Sequence, residues 1–465
     1  MKGTARSFAA AALRAALVFA VLAVPVAAAP PPGGAGAEQS ASAPTAPPPP
    51  GLAELLAAAR TDAVTMPRLA ELTDGVGARL SGSPALARAV AWGERTLRAD
   101  GQDNVRLDPV LVPHWVRGEE RLEMLAPERR SLAMLGLGGS VGTPGIAAPV
   151  SVVHSFDELS PAVAGTIVLF CAPPKAGDTA GAHYGNTVRY RAQGAAKAAA
   201  FGAVAVLVRS ITVRSLHTPH TGSMTYDDTQ PAIPAAAITT EDADWIDRLA
   251  SRGVTVRVRL EMGAQTLSDA PTENVIAEIV GSEHPEEIVV VGGHLDSWDV
   301  GQGAQDDGAG IIHTIEALRL IRSLGLRPRR TIRAVLFANE ENGLRGGITY
   351  AQAHGAECHV AAIETDLGSG KPLTWSASGS AFDLAWLRRI AQPLGLPIEG
   401  SGSGADISPL EQQGVLSVGL RPDLEAYFDV HHTDADTYDK VDPALLREGT
   451  AIVAGLVWML ANATR

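Results

Sequence analysis

The feature that most constrains this chain is an alternation of strand-forming and helix-forming segments that begins after Asn274 and runs to the C-terminus. β-Rich runs at Glu287–Val291, Thr331–Phe337, His359–Ile363 and Val415–Leu420 alternate with helical patterns at Gly308–Leu320, Gly346–His354, Leu384–Leu394 and Ala444–Leu460. Parallel neighbours need a crossover that a helix supplies, so the pattern predicts an α/β fold. Its sheet is mixed, parallel at its centre and flanked by helices on both faces.

Open sheets of this kind build their sites just beyond the carboxyl ends of the strands. There the chain carries Gly293-His294-Leu295-Asp296, Gln305-Asp306-Asp307-Gly308, Asn339-Glu340-Glu341-Asn342 and Glu364-Thr365-Asp366, and a later loop adds His431-His432-Thr433-Asp434-Ala435-Asp436. A single Asp or Glu at a helix start is ordinarily a cap. A metal-ligand residue type at every strand end is a different matter. The two cysteines, Cys171 and Cys358, are too few and too far apart for a disulfide framework or a Cys-based zinc site. Any metal must therefore be held by His, Asp and Glu. His294, Asp306, Glu341, Asp366 and His432 offer two imidazole nitrogens and three carboxylates, a set that suits zinc better than calcium or magnesium. Two Zn2+ with a bridging hydroxide would balance the three carboxylates.

The N-terminus is organised differently. Lys2, Arg6 and Arg14, the apolar stretch Ala15–Val26 and small residues at Ala27, Ala28 and Ala29 predict a secretory signal peptide over residues 1–29. The apolar stretch is shorter than the roughly 20 residues a spanning helix needs, so export to the periplasm or the exterior is expected, without stable membrane insertion. Residues 30–50, rich in Pro and Ala, read as a disordered linker. Helical spacing then starts near Leu55 and continues at Ala85–Ala99. Residues 145–262 change texture to short β-rich runs, Thr166–Phe170 and Ala203–Val208, around an Ala-rich helix at Gly194–Phe201, which predicts a separate insert. The main domain would then comprise residues 51–144 and 263–465. With 51 acidic against 38 basic residues and no basic cluster, nucleic acid is not an expected partner.

Two motifs mislead. Gly138-Gly139-Ser140-Val141-Gly142 satisfies GxSxG, but Thr143-Pro144-Gly145 follows where a nucleophile elbow needs a helix. Gly368-Ser369-Gly370-Lys371-Pro372 lacks the spacing of a phosphate-binding loop. Both are expected to be turns.

The stretches GGHLDSWDVGQGAQDDGAG, NEENGLRGG, IETDLG and HHTDADTYD resemble the co-catalytic dizinc exopeptidases, and the likeness runs from Leu52 to the C-terminus. The resemblance implies a zinc aminopeptidase-like phosphorylase/hydrolase fold, with the insert as a protease-associated domain. It implies two Zn2+ per chain, bridged by Asp306, with His294 and Asp366 on one ion and Glu341 and His432, rather than His431, on the other. It makes Glu340 the general base acting on metal-bound water, Asp296 the acceptor of the second ring N–H of His294, and Asp436 an orienter of its loop. It also implies a cis peptide between Asp306 and Asp307. The loop Ser401–Asp406 resembles one that lines the substrate pocket, and Asp406 is the candidate for holding a substrate α-ammonium. The His217–His220 loop would lean over the site. Short peptides with free ends, dipeptides above all, are the implied substrates, and a homodimer the implied assembly. An aminopeptidase on longer peptides and a receptor-like binding protein that has lost its ligands are the rival readings. The intact five-residue set and Glu340 argue against the second, and the same set argues against single-zinc glutaminyl cyclisation.

Overall fold

The computed structural model describes residues 47–465; the signal-peptide and most of the linker expectations lie outside the described residues. Among the described residues, fifteen strands form two sheets. In chain order they are β1 (Asp103–Val116), β2 (Glu120–Ala126), β3 (Arg130–Leu132), β4 (Met134–Gly136), β5 (Thr143–Val153), β6 (Ile167–Phe170), β7 (Ala205–Arg209) and β8 (Ala235–Ile238). There follow β9 (Arg257–Met262), β10 (Gln265–Ile279), β11 (His284–His294), β12 (Arg330–Phe337), β13 (Cys358–Glu364), β14 (Pro372–Ser378) and β15 (Ser417–Pro422).

The main sheet has the order β1-β10-β12-β11-β13-β15-β14. β12, β11, β13 and β15 are mutually parallel, while β1, β10 and β14 pair antiparallel at the edges. The parallel centre follows from composition: Arg330–Phe337 is buried at every position, as a strand covered on both faces must be. Successive residues serve opposite faces. Val289 and Val291 pack with Ile332, Leu318 and Val453 on one side, whereas Ile288 and Val290 pack with Val335, Tyr350 and Leu410 on the other. Each such fully buried side chain contributes roughly 1.5–3 kcal/mol relative to exposure. The helix Pro443–Asn462 has a mean hydropathy of 1.5, enough by length and composition to cross a membrane, but it lies against Leu318 and Ile321 in the core.

The second sheet, β3-β2-β9-β5-β6-β7-β8-β4, is parallel from β5 to β8. It begins at Glu120, not at Gly145 as the sequence suggests, because β2, β3 and β4 pair into it. Its Ala-rich helix is likewise longer than expected: it spans Ala180–Ala199 and starts where the Thr179 side chain accepts a hydrogen bond from the N–H of Ala182. The two sheets are joined by a ribbon. β1 leads into β2 beside the point where β9 leads into β10, and the Gly263 N–H donates to Glu119 O at 2.8 Å. Gly118 has φ +69 there, and a Cβ on it would stand 2.5 Å from Gly263 O, so only glycine fits the crossing.

Both decoy motifs are turns. Ser140 is buried and followed by β5 rather than by a helix, and Ser369 donates its N–H to the Gln305 side chain.

Candidate metal centre

β11 delivers His294 as its last residue, held in register between β12 and β13. The ring is buried, with Nε2 3.2 Å from Asp306 Oδ1 and 3.3 Å from Asp366 Oδ1. Asp366 lies just past the end of β13, and Asp306 sits in the irregular turn Ala304–Gly308, where the Asp306–Asp307 peptide is cis. The other oxygen of Asp306, Oδ2, is 3.2 Å from His432 Nε2, which is also 3.1 Å from Glu341 Oε2. The two oxygens of one buried carboxylate thus face two separate imidazole–carboxylate pairs. His431 Nε2 approaches the same Oδ2 at 3.5 Å, and its ring stacks on His432 with centroids 3.5 Å apart. His432 reaches both Asp306 and Glu341; His431 reaches Asp306 alone.

The donor chemistry fits a cation. Asp306 Oδ2 and Glu341 Oε1 are buried and accept no hydrogen bond, a costly condition that bound metal would relieve. Burial by itself lowers the pKa of His294, but Asp366, Asp296 and Asp306 hold it well above the ordinary imidazole value. Burial also lowers His432, which the carboxylates of Glu341 and Asp306 nonetheless push up to about 9. Burial raises Glu341 to about 7, reinforced by the charge of Asp306. Glu340 is pushed well above the usual carboxylate range by burial and by the charges of Asp366 and Glu341. The field that draws protons onto these groups would equally draw a metal ion.

A supporting layer fixes the ligands. Asp436 accepts the Gln305 N–H at 2.8 Å and the Asp306 N–H at 3.1 Å, so it orients the turn that carries Asp306. Asp307 accepts the His294 N–H at 3.1 Å and the Gly310 N–H at 2.9 Å. Asp296 departs from expectation. The Nδ1 of His294 lies 3.0 Å from the Asp296 main-chain carbonyl, whereas the carboxylate is 3.7 Å away. That carboxylate instead accepts from the Glu340 N–H at 3.0 Å and the Ser81 hydroxyl at 3.2 Å, because the chain turns between His294 and Asp296.

A cavity of about 240 Å³ opens onto Asp306, Glu340, Glu341, Asp366 and His432. Its remaining wall includes Tyr427 from the main domain and Tyr184, Arg191 and Ser223 from the second-sheet region. The loop after His220 reaches the site through its backbone: the Thr221 N–H donates to His432 O at 2.9 Å, and Thr221 O lies 3.3 Å from His432 Nδ1. Arg191 donates to Thr221 O at 3.2 Å and to the Tyr184 hydroxyl at 3.0 Å. Sequence reasoning missed Arg191, Tyr184 and Tyr427. Arg191 and Tyr184 share the helix Ala180–Ala199, of which the sequence pattern indicates only the part from Gly194 onward.

Asp406 is the clearest correction. It is 1% exposed and lines no wall of this cavity, and both its oxygens lack hydrogen-bond partners. Burial and the charge of Glu364 raise it well above the usual carboxylate range. The loop turns this side chain inward, so it is not placed to pair with a substrate ammonium.

A parallel-centred α/β sheet with two imidazoles and three carboxylates gathered beyond the carboxyl ends of its strands fits a metallopeptidase. Residues 274–457 match the family model described as peptidase family M28. Carboxypeptidase Q of Bos taurus is 44% identical over 85% of this chain and 84% of its own length, and that of Homo sapiens is 43% identical with the same coverage. The crystal structure of a peptidase M28 precursor from Shewanella amazonensis superposes with a TM-score of 0.85 at 37% identity, covering 89% of this chain and 96% of that one. A zinc aminopeptidase from Bacillus subtilis shares the fold at TM-score 0.63 and 20% identity, covering 86% of this chain and 94% of that one. The chain belongs to peptidase family M28.

Proposed function

We propose that this chain is an exported dizinc exopeptidase that hydrolyses dipeptides and short peptides. One observation carries the reading: Asp306 Oδ1 lies against His294, whose Nε2 also meets Asp366, and Oδ2 lies against His432, whose Nε2 also meets Glu341. Those residues would hold the two ions, Asp306 serving both. Bound zinc supplies a Lewis acid for the scissile carbonyl and lowers the pKa of the attacking water. The chain's own residues do the rest. Glu340 lies on the cavity wall, and its main-chain N–H is anchored on Asp296. Its carboxylate takes the proton from the attacking water and returns it to the leaving amine. The supporting carboxylates, Asp307 and Asp436, accept main-chain N–H groups and hold the ligand-bearing backbone still.

The small cavity, walled on one side by Tyr184 and Arg191, favours short substrates over polypeptides. The 44% identity to proteins named carboxypeptidase Q supports an exopeptidase, and the first 29 residues of the sequence support export. The second-sheet region is our candidate for a protease-associated domain.

Zinc-loaded protein should be assayed on free dipeptides, N-acetylated dipeptides and longer peptides, with metal content measured in parallel. Turnover of free dipeptides with about two zinc ions per chain is the expected result. Preferred cleavage of long or end-blocked peptides would sink the dipeptidase reading, and full activity with a single ion would sink the dizinc one.

A further inference from the structure

Next to the metal cluster lies a second cavity of about 230 Å³ that shares Asp366 and Leu367 with the first. Its far side is formed by Ser403 and Gly404 and by Arg421 of β15. Arg421 is held in place at one edge. Its Nε donates to Ser376 Oγ at 2.8 Å, and its Nη2 makes a long contact of 3.4 Å with Gly402 O. Nη1 makes no hydrogen bond to a described residue, and no described carboxylate stands within ion-pairing distance of the guanidinium.

Arg191, on the wall of the first cavity, likewise has no described carboxylate partner, but it donates to Thr221 O and the Tyr184 hydroxyl and lies 3.2 Å from His432 Nδ1. Most other inward-lying arginines are ion-paired. Arg68 is neutralised by Asp100 and Glu316, Arg117 by Asp299, Arg319 by Glu316 and Asp62, and Arg333 by Glu278. The fully buried Arg79 instead donates to four main-chain carbonyls. Burial lowers the pKa of Arg421 against the opposing charges of Asp366 and Glu364, and no described carboxylate pairs with it directly, so a ligand carboxylate would complete its hydrogen bonding. Arg421 lines the same cavity as the candidate metal ligand Asp366, and the carboxylate is the group a guanidinium fork recognises best.

We propose that Arg421 is the specificity-determining residue of a subsite that takes a carboxylate of the peptide substrate. The inference rests on the proposed peptidase function and names what that site selects. A peptide can present this group from an Asp or Glu side chain or from its C-terminus, and the chemistry at Arg421 is the same for both.

The test has two substrate arms and one binding arm, all on zinc-loaded protein. In the first arm Glu-Ala is compared with Gln-Ala; in the second, Ala-Ala is compared with its C-terminal amide. Wild type should favour the carboxylate form in one arm by at least about tenfold in kcat/KM, the low end for a charge-assisted hydrogen bond. Arg421→Gln should abolish that preference with zinc content and unfolding temperature unchanged, while Arg421→Lys keeps part of it. The arm that responds identifies the source of the carboxylate. A wild type without preference in either arm, or a preference that survives in Arg421→Gln, overturns the proposal. Calorimetric binding of glutarate, weakened at least about tenfold in Arg421→Gln, reads the subsite without turnover. If no peptide is cleaved, the proposed function fails while the glutarate result still decides the subsite.

Discussion

The two sheets contribute to the site by different means. The main sheet delivers side chains: His294 ends β11, Glu341 follows β12 and Asp366 follows β13, each at the rim of a strand buried on both faces. The second sheet delivers walls and main-chain hydrogen bonds, through Thr221, Arg191 and Tyr184. The difference teaches where precision is needed. Three of the five candidate ligands stand at the ends of buried strands, while Asp306 and His432 and the groups that shape the space around the cluster come from turns, loops and a helix.

The sharpest way to break the comparison is at its centre. Asp306→Asn removes the charge shared by the two imidazole–carboxylate pairs, so metal content should fall below one ion per chain and activity should drop to background; retained metal would show that Asp306 does not bridge. Glu340→Gln should lower turnover by roughly 10² to 10⁴ with metal content unchanged, which kinetics on metal-analysed protein will test. Asp436→Asn acts one step further out. Losing the charge that orders the Asp306 backbone should cost about 10- to 100-fold in zinc affinity, measured by competition with a chelator.

On the second-sheet side the effects should be smaller. At Gly222 a Cβ would stand 2.3 Å from Arg191 Cζ, so Gly222→Ala should displace the arginine. It is expected to raise KM more than it lowers kcat, with zinc retained. An equal loss of zinc would mean that the second sheet is as much a part of the metal centre as the first.

The smallest effect concerns pH. In metal-stripped protein, the stability contributed by His432, raised to about 9, is complete below its unfolded value near 6.5 and is lost as pH climbs through 9. Glu341, raised to about 7, works in the same direction from its unfolded value near 4.5 upward. The depressed His220 and His313, at about 3 and about 4, oppose this only below pH 6.5, where their unfolded forms take up protons. Between pH 7 and 9 the unfolding temperature of stripped protein should therefore fall, and zinc should flatten the slope. A flat profile without zinc would contradict the charge crowding described here.

The clustered His, Asp and Glu residues were legible because most of them border strongly patterned segments, where such residues have little structural reason to recur. Asp406 misled because composition shows that a loop is acidic but not which way a side chain turns. Thr221 left no mark, since a main-chain carbonyl is carried by every residue type. β1 and β10 were hard to read as a pair because their outer halves are exposed or half-exposed and lack a clean alternation. Asp296 was assigned to the correct neighbourhood but to the wrong atom, a distinction of under 1 Å that spacing cannot resolve.

The ribbon at Gly118 and Gly263 has a consequence for how such a chain is assembled. The second sheet leaves and re-enters the main domain at adjacent positions, so its ends are already brought together by the pairing of β1 with β10. Over a hundred intervening residues therefore add little to the entropy of closing the main domain, because that cost grows only with the logarithm of loop length. A whole folding unit can be spliced into an antiparallel pair of this kind without disturbing the register on which the catalytic rim depends.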